Sequence, residues 1–222
     1  MRTVVFDLDG TLADTSADLI AAANACFVLV GQGRPLDPVA DALVAFGGGR
    51  AMLRLGAMRL RLGWDEAEID RQYPVLIEAY AQAIAVHSTL YPGAVAAVKA
   101  LRTAGFATAI CTNKPERLAI MLCDHLGISD LFGALLGADT LPVRKPDPVH
   151  FFETVRRAGG DQARSLLIGD TITDRDTARA AGVPIILVGF GPEGAGVERL
   201  TPDALLHHYD DLPALAELFL PA

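Results

Sequence analysis

The sequence predicts an α/β protein built on a parallel sheet, with one all-helical segment inserted near its start. Short apolar and β-branched runs alternate with helix-length segments over most of the chain, a pattern typical of a parallel sheet covered on both faces. The stretch from about Ser16 to Val86 breaks this alternation, because it contains helical patterns and no strand pattern. A chain of 222 residues is long enough for one core and a small accessory domain.

Five buried strands are predicted from apolar runs that end in turn residues: Thr3–Leu8, Phe106–Cys111, Ala134–Gly137, Ser165–Ile168 and Pro184–Val188. Four glycines are predicted to end helices in the left-handed conformation: Gly105, Gly127, Gly159 and Gly182. Pro115 and Pro148 are predicted to begin helices, since a first turn does not need the missing N–H. Ligands of such sheets bind beyond the carboxyl ends of the strands.

The inserted segment is predicted to contain helices near Ala17–Val30 and Pro38–Phe46, followed by three glycines and further helices as far as Val86. We therefore expect a discontinuous core made of residues 1–15 and 87–222, with residues 16–86 forming a helical domain.

Composition excludes several classes of function. The chain is 51% hydrophobic and 21% charged, which is typical of a folded globular protein. Its net charge of −8 repels phosphate backbones and anionic membranes, so we expect neither nucleic acid nor a membrane as partner. The three cysteines, Cys26, Cys111 and Cys123, form no CxxC motif, and the apolar run Thr3–Phe6 is too short for a signal peptide. These features predict a cytoplasmic protein.

The segment DLDGTLAD after the first strand carries the strongest chemical signal. Asp7 and Asp9 stand at alternate positions where the strand ends, which brings like charges together in a way that a divalent cation would relieve. Gly10 permits a tight exit from the strand, and Thr11 can bond local backbone. An acidic turn with solvated carboxylates is the alternative interpretation.

Three later strand ends or loops supply complementary groups. The TNK segment offers the hydroxyl of Thr112 and the amide of Asn113, both able to hold a phosphoryl oxygen. In the KPDP segment, Lys145 adds a compact positive charge in a chain with only three lysines. The GDTITD segment adds Asp170 and Asp174. Each segment alone is also compatible with a helix cap or a surface turn, but four of them at successive strand ends predict one shared site.

These four segments, in this order, resemble the haloacid dehalogenase superfamily, and within it the phosphatases similar to phosphoglycolate phosphatase. The resemblance covers nearly the whole chain. It implies a Rossmann-like parallel sheet core with an inserted all-helical cap domain. It further implies a magnesium-dependent phosphoric monoester hydrolase that acts on a small phosphorylated metabolite, with 2-phosphoglycolate as the favoured substrate, and that exists as a monomer or homodimer.

The resemblance also implies roles for individual residues. Asp7 would attack phosphorus and form an aspartyl-phosphate, while Asp9 would protonate the leaving group and later accept a proton from water. Mg²⁺ would be held by Asp7, by the backbone carbonyl of Asp9 and by Asp170, with Asp174 in support. The transferring phosphoryl oxygens would be bound by Thr112, Asn113 and Lys145.

Substrate selection is predicted in the helical segment. Gly48 and Gly49 can expose backbone N–H groups at a helix start, and Arg50 can form a bidentate bond with the carboxylate of phosphoglycolate. A flexible hinge with Arg50 in solvent is the alternative. Phosphatases of a sugar phosphate, a nucleotide or pyrophosphate remain open as alternatives.

Other activities are disfavoured. Related dehalogenases lack an acid at the position of Asp9, and related phosphonate hydrolases use a cap lysine, whereas no lysine precedes Lys99. Related sugar phosphomutases carry a histidine early in the cap, and none occurs between Asp14 and Val86. A signalling receiver would be shorter and lack the helical insertion, and a catalytically silent binding protein would not need both Asp7 and Asp9.

Overall fold

A computed structural model describes all 222 residues, which form two compact units. One unit comprises Met1–Ala13 and Leu90–Ala222, and the other comprises Asp14–Thr89. The strands are β1 (Thr3–Phe6), β2 (Ala13–Asp14), β3 (Thr89–Leu90), β4 (Ala107–Cys111), β5 (Ala134–Leu136), β6 (Ser165–Gly169), β7 (Ile185–Val188) and β8 (Ala204–Leu206). The helices are α1 (Ser16–Leu29), α2 (Ala42–Phe46), α3 (Gly49–Arg59), α4 (Glu66–Gln82), α5 (Ala94–Thr103), α6 (Glu116–His125), α7 (Pro148–Arg157), α8 (Ile172–Ala181) and α9 (Leu212–Phe219).

The first unit is built on a six-stranded sheet in the order β5-β4-β1-β6-β7-β8. Every pair of neighbouring strands is parallel, and in the central pairs Val5 lies opposite Ala109 on one side and Leu167 on the other. The strand order reverses at β1, so the loops that follow β1, β4 and β6 meet at the carboxyl edge. Parallel α/β sheets bind their ligands at this kind of edge. The predicted α/β, Rossmann-like fold class is confirmed.

The sheet is buried on both faces. The four residues of β1 are fully buried, as are the four of β7, which explains why these strands are continuous apolar runs rather than alternating ones. α7 packs on β4 and β5, and α8 packs on β6 and β7. The core under these helices includes Val5, Phe151, Val155, Leu167, Ala178, Ile185 and Leu187. Full burial of one large apolar side chain contributes about 1.5–3 kcal/mol, so this layer holds the site loops firmly.

The predicted glycine stops are confirmed at all four positions, with φ between 67° and 83° at Gly105, Gly127, Gly159 and Gly182. At the end of α8, for example, Gly182 adopts φ 67° and donates its N–H to the carbonyls of Ala178 and Arg179. A side chain at this φ would be strained, which is why glycine marks the helix ends so clearly in the sequence.

Some predicted boundaries differ from the structure. The strand predicted as Thr3–Leu8 ends at Phe6, because the carbonyl of Leu8 accepts the N–H groups of Leu12 and Ala13 and closes a loop. The helix predicted from Pro38 begins only at Ala42, since the Asp37 carboxylate caps a separate turn by accepting from the amides of Val39 and Ala40. Three strands were not predicted: β8, which is the sixth strand of the large sheet, and the two-residue strands β2 and β3, which pair with each other.

The second unit is helical, and no strand lies between α1 and Ser88. α1 packs against α4, α3 and α2 around buried side chains that include Phe27, Met52, Leu53, Leu76 and Tyr80. The ring of Phe27 stacks on Trp64 at 5.1 Å between centroids. At its carboxyl end the unit is tied to α1, because Asp18 accepts hydrogen bonds from the amides of His87 and Ser88. None of the helices in either unit has the length and apolar character needed to cross a membrane.

Candidate functional site

The loop after β1 carries two carboxylates, those of Asp7 and Asp9, at the carboxyl edge of the sheet. Asp7 is still fixed by the sheet, since its N–H donates to the carbonyl of Ile168 at 2.9 Å, and its Oδ1 accepts from the Leu8 amide at 2.7 Å. Gly10 then turns the chain with φ 81°, and its N–H donates to the carbonyl of Ala13. The tight exit predicted at Gly10 is present, and it places Asp7 and Asp9 on one short, well-braced loop.

Lys145 joins two of the carboxylates. Its side chain is almost fully buried, and its Nζ lies 2.6 Å from Asp174 Oδ1 and 3.1 Å from Asp7 Oδ2. A buried ammonium needs close anionic partners to offset its lost hydration, and these two carboxylates provide them. Lys145 therefore presents a fixed positive charge beside Asp7.

Carboxylate oxygens of Asp7, Asp170 and Asp174 lie within 4.8 Å of one another. Asp170 is oriented by Thr11, whose Oγ1 donates to Asp170 Oδ1 at 2.9 Å. Asp174 is oriented by the start of α8, where its Oδ2 accepts from the backbone N–H and the hydroxyl of Thr171 at 3.1 and 2.8 Å. Thr171 and Asp174 thus form a capping box, in which each side chain bonds the backbone of the other at the start of α8. The same bonds orient the other carboxylate oxygen, Asp174 Oδ1, toward Lys145.

The electrostatics of the cluster favour an added cation. Burial, offset in part by Lys145 and reinforced by Asp174 and Asp9, raises the pKa of Asp7 to about 6. Burial, together with repulsion from Asp174 and Asp7, raises the pKa of Asp170 well above its ordinary value. Burial alone would lower the pKa of Lys145, but the Asp174 and Asp7 carboxylates raise it. The lysine thus stays charged, whereas burial and repulsion between the carboxylates disfavour ionisation of Asp7 and Asp170.

The donor set fits a hard divalent cation. Mg²⁺ prefers oxygen ligands, and here three carboxylates converge, two of which have pKa values raised by burial and by repulsion from their neighbours. The backbone carbonyl of Asp9 belongs to the same loop as Asp7. No cysteine or histidine belongs to the cluster, which disfavours zinc.

The loop after β4 contributes Thr112 and Asn113 next to Lys145. Thr112 is buried, and its Oγ1 accepts the Lys114 amide at 3.2 Å, which leaves its hydroxyl proton for another acceptor. Asn113 Nδ2 donates to the carbonyl of Lys145 at 3.0 Å, so its amide links this loop to the one that carries Lys145. The structure therefore brings both predicted residues to the edge where Asp7 lies.

Two features of the site were not predicted from the sequence. Lys114 Nζ lies 2.9 Å from Asp9 Oδ1 and 3.2 Å from Asp9 Oδ2. The buried Tyr209 donates its hydroxyl proton to the carbonyl of Thr11 at 2.7 Å, which braces the loop whose hydroxyl orients Asp170. The rarity of lysine was the available signal for Lys114. No local pattern connects Tyr209 to a loop 198 positions earlier.

The remaining predicted residues belong to the helical unit. Gly48 caps α3 with φ 91°, and Gly49 is the first residue of that helix. A Cβ at Gly49 would lie 2.9 Å from the ring of Tyr73, so close helix packing accounts for this glycine. Arg50 donates its Nε to Asp70 Oδ1 at 2.8 Å, and its guanidinium carbon lies 4.0 Å from the centre of the Tyr73 ring. Arg50 keeps an exposed side chain at the start of α3.

The arrangement at the sheet edge combines the mostly buried carboxylate of Asp7, two lysines and an oxygen cluster suited to a divalent cation. Such a set can attack an electrophile that carries its own negative charge, because cations on the protein screen the approach. A second carboxylate, Asp9, lies two residues from Asp7 and is only partly exposed. The site therefore supports nucleophilic group transfer with an acid–base residue at hand.

Comparison with known proteins agrees with this chemistry. Curated relatives include a phosphoglycolate phosphatase from Mesorhizobium japonicum, 39% identical over 99% of this chain and 96% of the relative. Another is a phosphoglycolate phosphatase from Caulobacter vibrioides, 38% identical over 95% of this chain and 89% of the relative.

Solved structures share the fold. A protein from Haemophilus somnus 129PT, described as "a predicted phosphoglycolate phosphatase", superposes with a TM-score of 0.82 at 23% identity, covering 97% of each chain. A haloacid dehalogenase family hydrolase from Deinococcus radiodurans R1, solved with bound phosphate and sodium, gives a TM-score of 0.75 at 23% identity, covering 100% of this chain and 99% of the other. The sequence model of the haloacid dehalogenase-like hydrolase family matches residues 1–182 of this chain. The chain belongs to the haloacid dehalogenase-like hydrolase family.

Proposed function

We propose that the protein is a magnesium-dependent phosphatase that hydrolyses a small phosphomonoester through an aspartyl-phosphate at Asp7. The observation that carries this proposal is the contact of a buried, charged Lys145 with both Asp7 and Asp174 beside an oxygen cluster fit for Mg²⁺. The substrate that we favour is 2-phosphoglycolate, because the similar curated proteins are named phosphoglycolate phosphatase and the similarity extends over nearly their whole length.

In the first half-reaction, an Asp7 carboxylate oxygen forms a bond to phosphorus as the bond from phosphorus to the substrate oxygen breaks. Asp9 gives its proton to the departing alkoxide, which leaves as an alcohol. In the second half-reaction, Asp9 takes a proton from a water molecule as that water attacks phosphorus. Inorganic phosphate is released, and the Asp7 carboxylate is restored.

The metal site in this proposal consists of Asp7, the backbone carbonyl of Asp9 and Asp170, with Asp174 in support. When bound, Mg²⁺ supplies positive charge that lets an anionic nucleophile approach an anionic phosphate. The chain's own residues prepare this site, since Thr11 orients Asp170 and Thr171 orients Asp174.

Phosphoryl oxygens are bound, in this proposal, by Thr112, Asn113 and Lys145. The Thr112 hydroxyl has a proton to donate, and Asn113 retains one amide N–H beyond the bond it makes to Lys145. Lys145 stabilises charge as it shifts between the attacking and leaving oxygens, and its ion pairs keep it in place throughout the reaction.

We further propose that residues 16–86 form the cap that selects the substrate. The first turn of α3, with Gly48, Gly49 and Arg50, would bind the carboxylate of phosphoglycolate. The guanidinium of Arg50 already binds a carboxylate, that of Asp70, and lies over an aromatic ring that limits its motion. An exchange of Asp70 for the substrate carboxylate would preserve the same charge-assisted bond.

The partner in this proposal is a small phosphorylated metabolite, and the compartment is the cytoplasm. All three cysteines are free thiols and buried, which is compatible with a reducing environment.

A phosphate-release assay tests the proposal. The purified protein is given 2-phosphoglycolate, a sugar phosphate, a nucleotide, pyrophosphate and an aryl phosphate, each with Mg²⁺ and with a chelator. We expect multiple turnovers only with Mg²⁺, the highest kcat/KM for 2-phosphoglycolate, and no turnover by Asp7→Asn. Turnover that persists in the Asp7→Asn variant or in chelator would overturn the mechanism, and a preference for another ester would overturn only the substrate.

A further inference from the structure

We infer that Lys114 is a positioning residue that holds the carboxylate of Asp9 in its working orientation, an inference that rests on the proposed function. Both oxygens of Asp9 lie within hydrogen-bond distance of Lys114 Nζ, at 2.9 and 3.2 Å. A single ammonium that reaches both oxygens restricts rotation of the carboxylate about its last bond. The other lysine of the site, Lys145, contacts Asp7 and Asp174 instead, so each lysine serves different carboxylates.

Lys114 can serve as a fixed point because its own backbone is held on both sides. Its N–H donates to Thr112 Oγ1 at 3.2 Å, and its carbonyl accepts from Ala138 at 2.9 Å. A Cβ on Gly137 would lie only 2.8 Å from that carbonyl, so the neighbouring loop passes close against it. The side chain is 4% exposed, and its rotamer is therefore set by packing rather than by solvent.

The pair is also shielded enough to matter energetically. The Asp9 side chain is 17% exposed and that of Lys114 is 4% exposed, so water screens their attraction weakly. Removal of the lysine would take away a charged partner that contacts both oxygens of this partly buried carboxylate and would weaken the constraint on its orientation. In the proposed reaction Asp9 has to reach first the leaving oxygen and then the attacking water, and a misplaced catalytic group costs up to about 10²-fold in rate.

The test uses Lys114→Met, which keeps much of the side chain's length and removes its charge, and Lys114→Arg, which keeps the charge. The control is Lys99→Met, because Lys99 is the one lysine outside the site and is exposed on α5. We expect kcat of Lys114→Met to fall by about 10- to 10²-fold. KM for 2-phosphoglycolate and Mg²⁺ affinity should remain near those of Lys99→Met, and Lys114→Arg should recover part of the lost kcat.

A double-mutant cycle with Asp9→Asn separates positioning from any independent role. If Lys114 acts through Asp9, adding Lys114→Met to Asp9→Asn should change kcat little, since the group that it positions has already lost its function. Losses that multiply in the double variant would overturn the inference, as would a loss confined to KM. Thermal unfolding verifies that each variant is folded, and Lys114→Gln replaces Lys114→Met if the latter is not.

The outcomes also separate this inference from the proposed function. A wild-type protein without Mg²⁺-dependent phosphatase activity would overturn both. An active wild type in which Lys114→Met turns over as fast as Lys99→Met would overturn the role of Lys114 alone.

Discussion

At the scale of single residues, the site is a set of carboxylates whose environments differ sharply although they lie side by side. Asp7 accepts from the backbone amide of Leu8 and contacts Lys145, Asp170 is held by Thr11, and Asp9 pairs with Lys114. In the proposed reaction, different neighbours would let chemically identical groups act as nucleophile, metal ligand and acid–base residue. The family resemblance of the sequence implies a role for each acid, and the three-dimensional contacts show the partners that orient each carboxylate.

Asp9→Asn tests the assigned proton transfers. The amide cannot give or take the proton, so we expect turnover to fall by about 10²- to 10⁴-fold, the usual value of general acid–base catalysis. Magnesium binding, measured by calorimetry, should persist because the proposed Asp9 ligand is its unchanged backbone carbonyl. Loss of magnesium binding in a folded Asp9→Asn protein would show that the carboxylate itself holds the metal.

Arg50→Ala tests substrate selection by the helical unit. If Arg50 binds the substrate carboxylate, kcat/KM for 2-phosphoglycolate should fall by the equivalent of about 1.5–3 kcal/mol. For an aryl phosphate whose aryl group carries no charge, kcat/KM should change little. Asp70→Ala is the matched control, since it removes the resting partner of Arg50 without removing the guanidinium. An equal loss with both substrates, or no loss with either, would refute recognition of the carboxylate by Arg50.

At the scale of elements, the predictions succeeded where local chemistry determines conformation. The four left-handed glycines and the five core strands have their causes within a few residues of themselves, so the sequence alone reveals them. The three residues of β8, Ala-Leu-Leu, are the same as those of β5, so composition does not explain why only β5 was predicted. β5 is marked by a glycine on each side, Gly133 and Gly137, whereas β8 has no such boundary after it. The position of β8 is set by its pairing with β7 in the sheet, and residues next to β8 in the sequence do not reveal that pairing.

The same contrast holds at the site. The segments DLDGTLAD, TNK, KPDP and GDTITD were recognisable because each stands directly after a strand or before a helix. The pairing of Lys114 with Asp9 joins residues 105 positions apart, and its partner choice depends on side-chain direction within the folded core. Long-range contacts of this kind leave no periodic trace in one sequence.

The junction of β6 and α8 yields an element-scale prediction. A Cβ at Gly169 would lie 2.3 Å from the Cβ and Cγ atoms of Asp174, so Gly169→Ala must displace that carboxylate. We expect a loss of about 1–3 kcal/mol in the free energy of unfolding, together with weaker Mg²⁺ binding and lower activity. Gly133→Ala is the control, because its nearest neighbour, the Cα of Ala158, would be 3.7 Å away. Unfolding in denaturant measures the free energy of unfolding, and metal titration measures Mg²⁺ affinity. Equal values of both for Gly169→Ala and Gly133→Ala would contradict the account.

At the scale of the whole molecule, stability and metal binding are linked to pH through the carboxylate cluster. The pKa of Asp7 is about 6 in the folded protein and 3.8 as its ordinary value, so the folded state binds this proton more tightly than the unfolded chain does. The stabilisation is complete below about pH 4 and is lost as the pH rises through about 6. In the metal-free protein, the negative cluster is therefore a cost at neutral pH.

Asp7→Asn exposes that cost, because the amide does not titrate. Relative to wild type, the metal-free variant should gain up to about 3 kcal/mol in free energy of unfolding as the pH rises from about 4 to about 7. Chemical denaturation at a series of pH values measures this slope, which already includes the ion pair with Lys145 because that pair forms only when Asp7 is ionised. Mg²⁺ should stabilise wild type more at about pH 8 than at about pH 5, because protons compete with the metal for the carboxylates. A pH-independent difference between variant and wild type would contradict the linkage.

The central claim is that a phosphoryl group is transferred to Asp7, and trapping that group tests it most directly. Wild type and Asp9→Asn, in which breakdown of the intermediate is slowed, are mixed with substrate and Mg²⁺, quenched in acid and treated with borohydride, which reduces an acyl phosphate to an alcohol. The account predicts that mass spectrometry of the peptide containing residue 7 finds homoserine there, and that Asp7→Asn shows no such product. Reduction at another carboxylate, or an unmodified Asp7 in both active proteins, would contradict it.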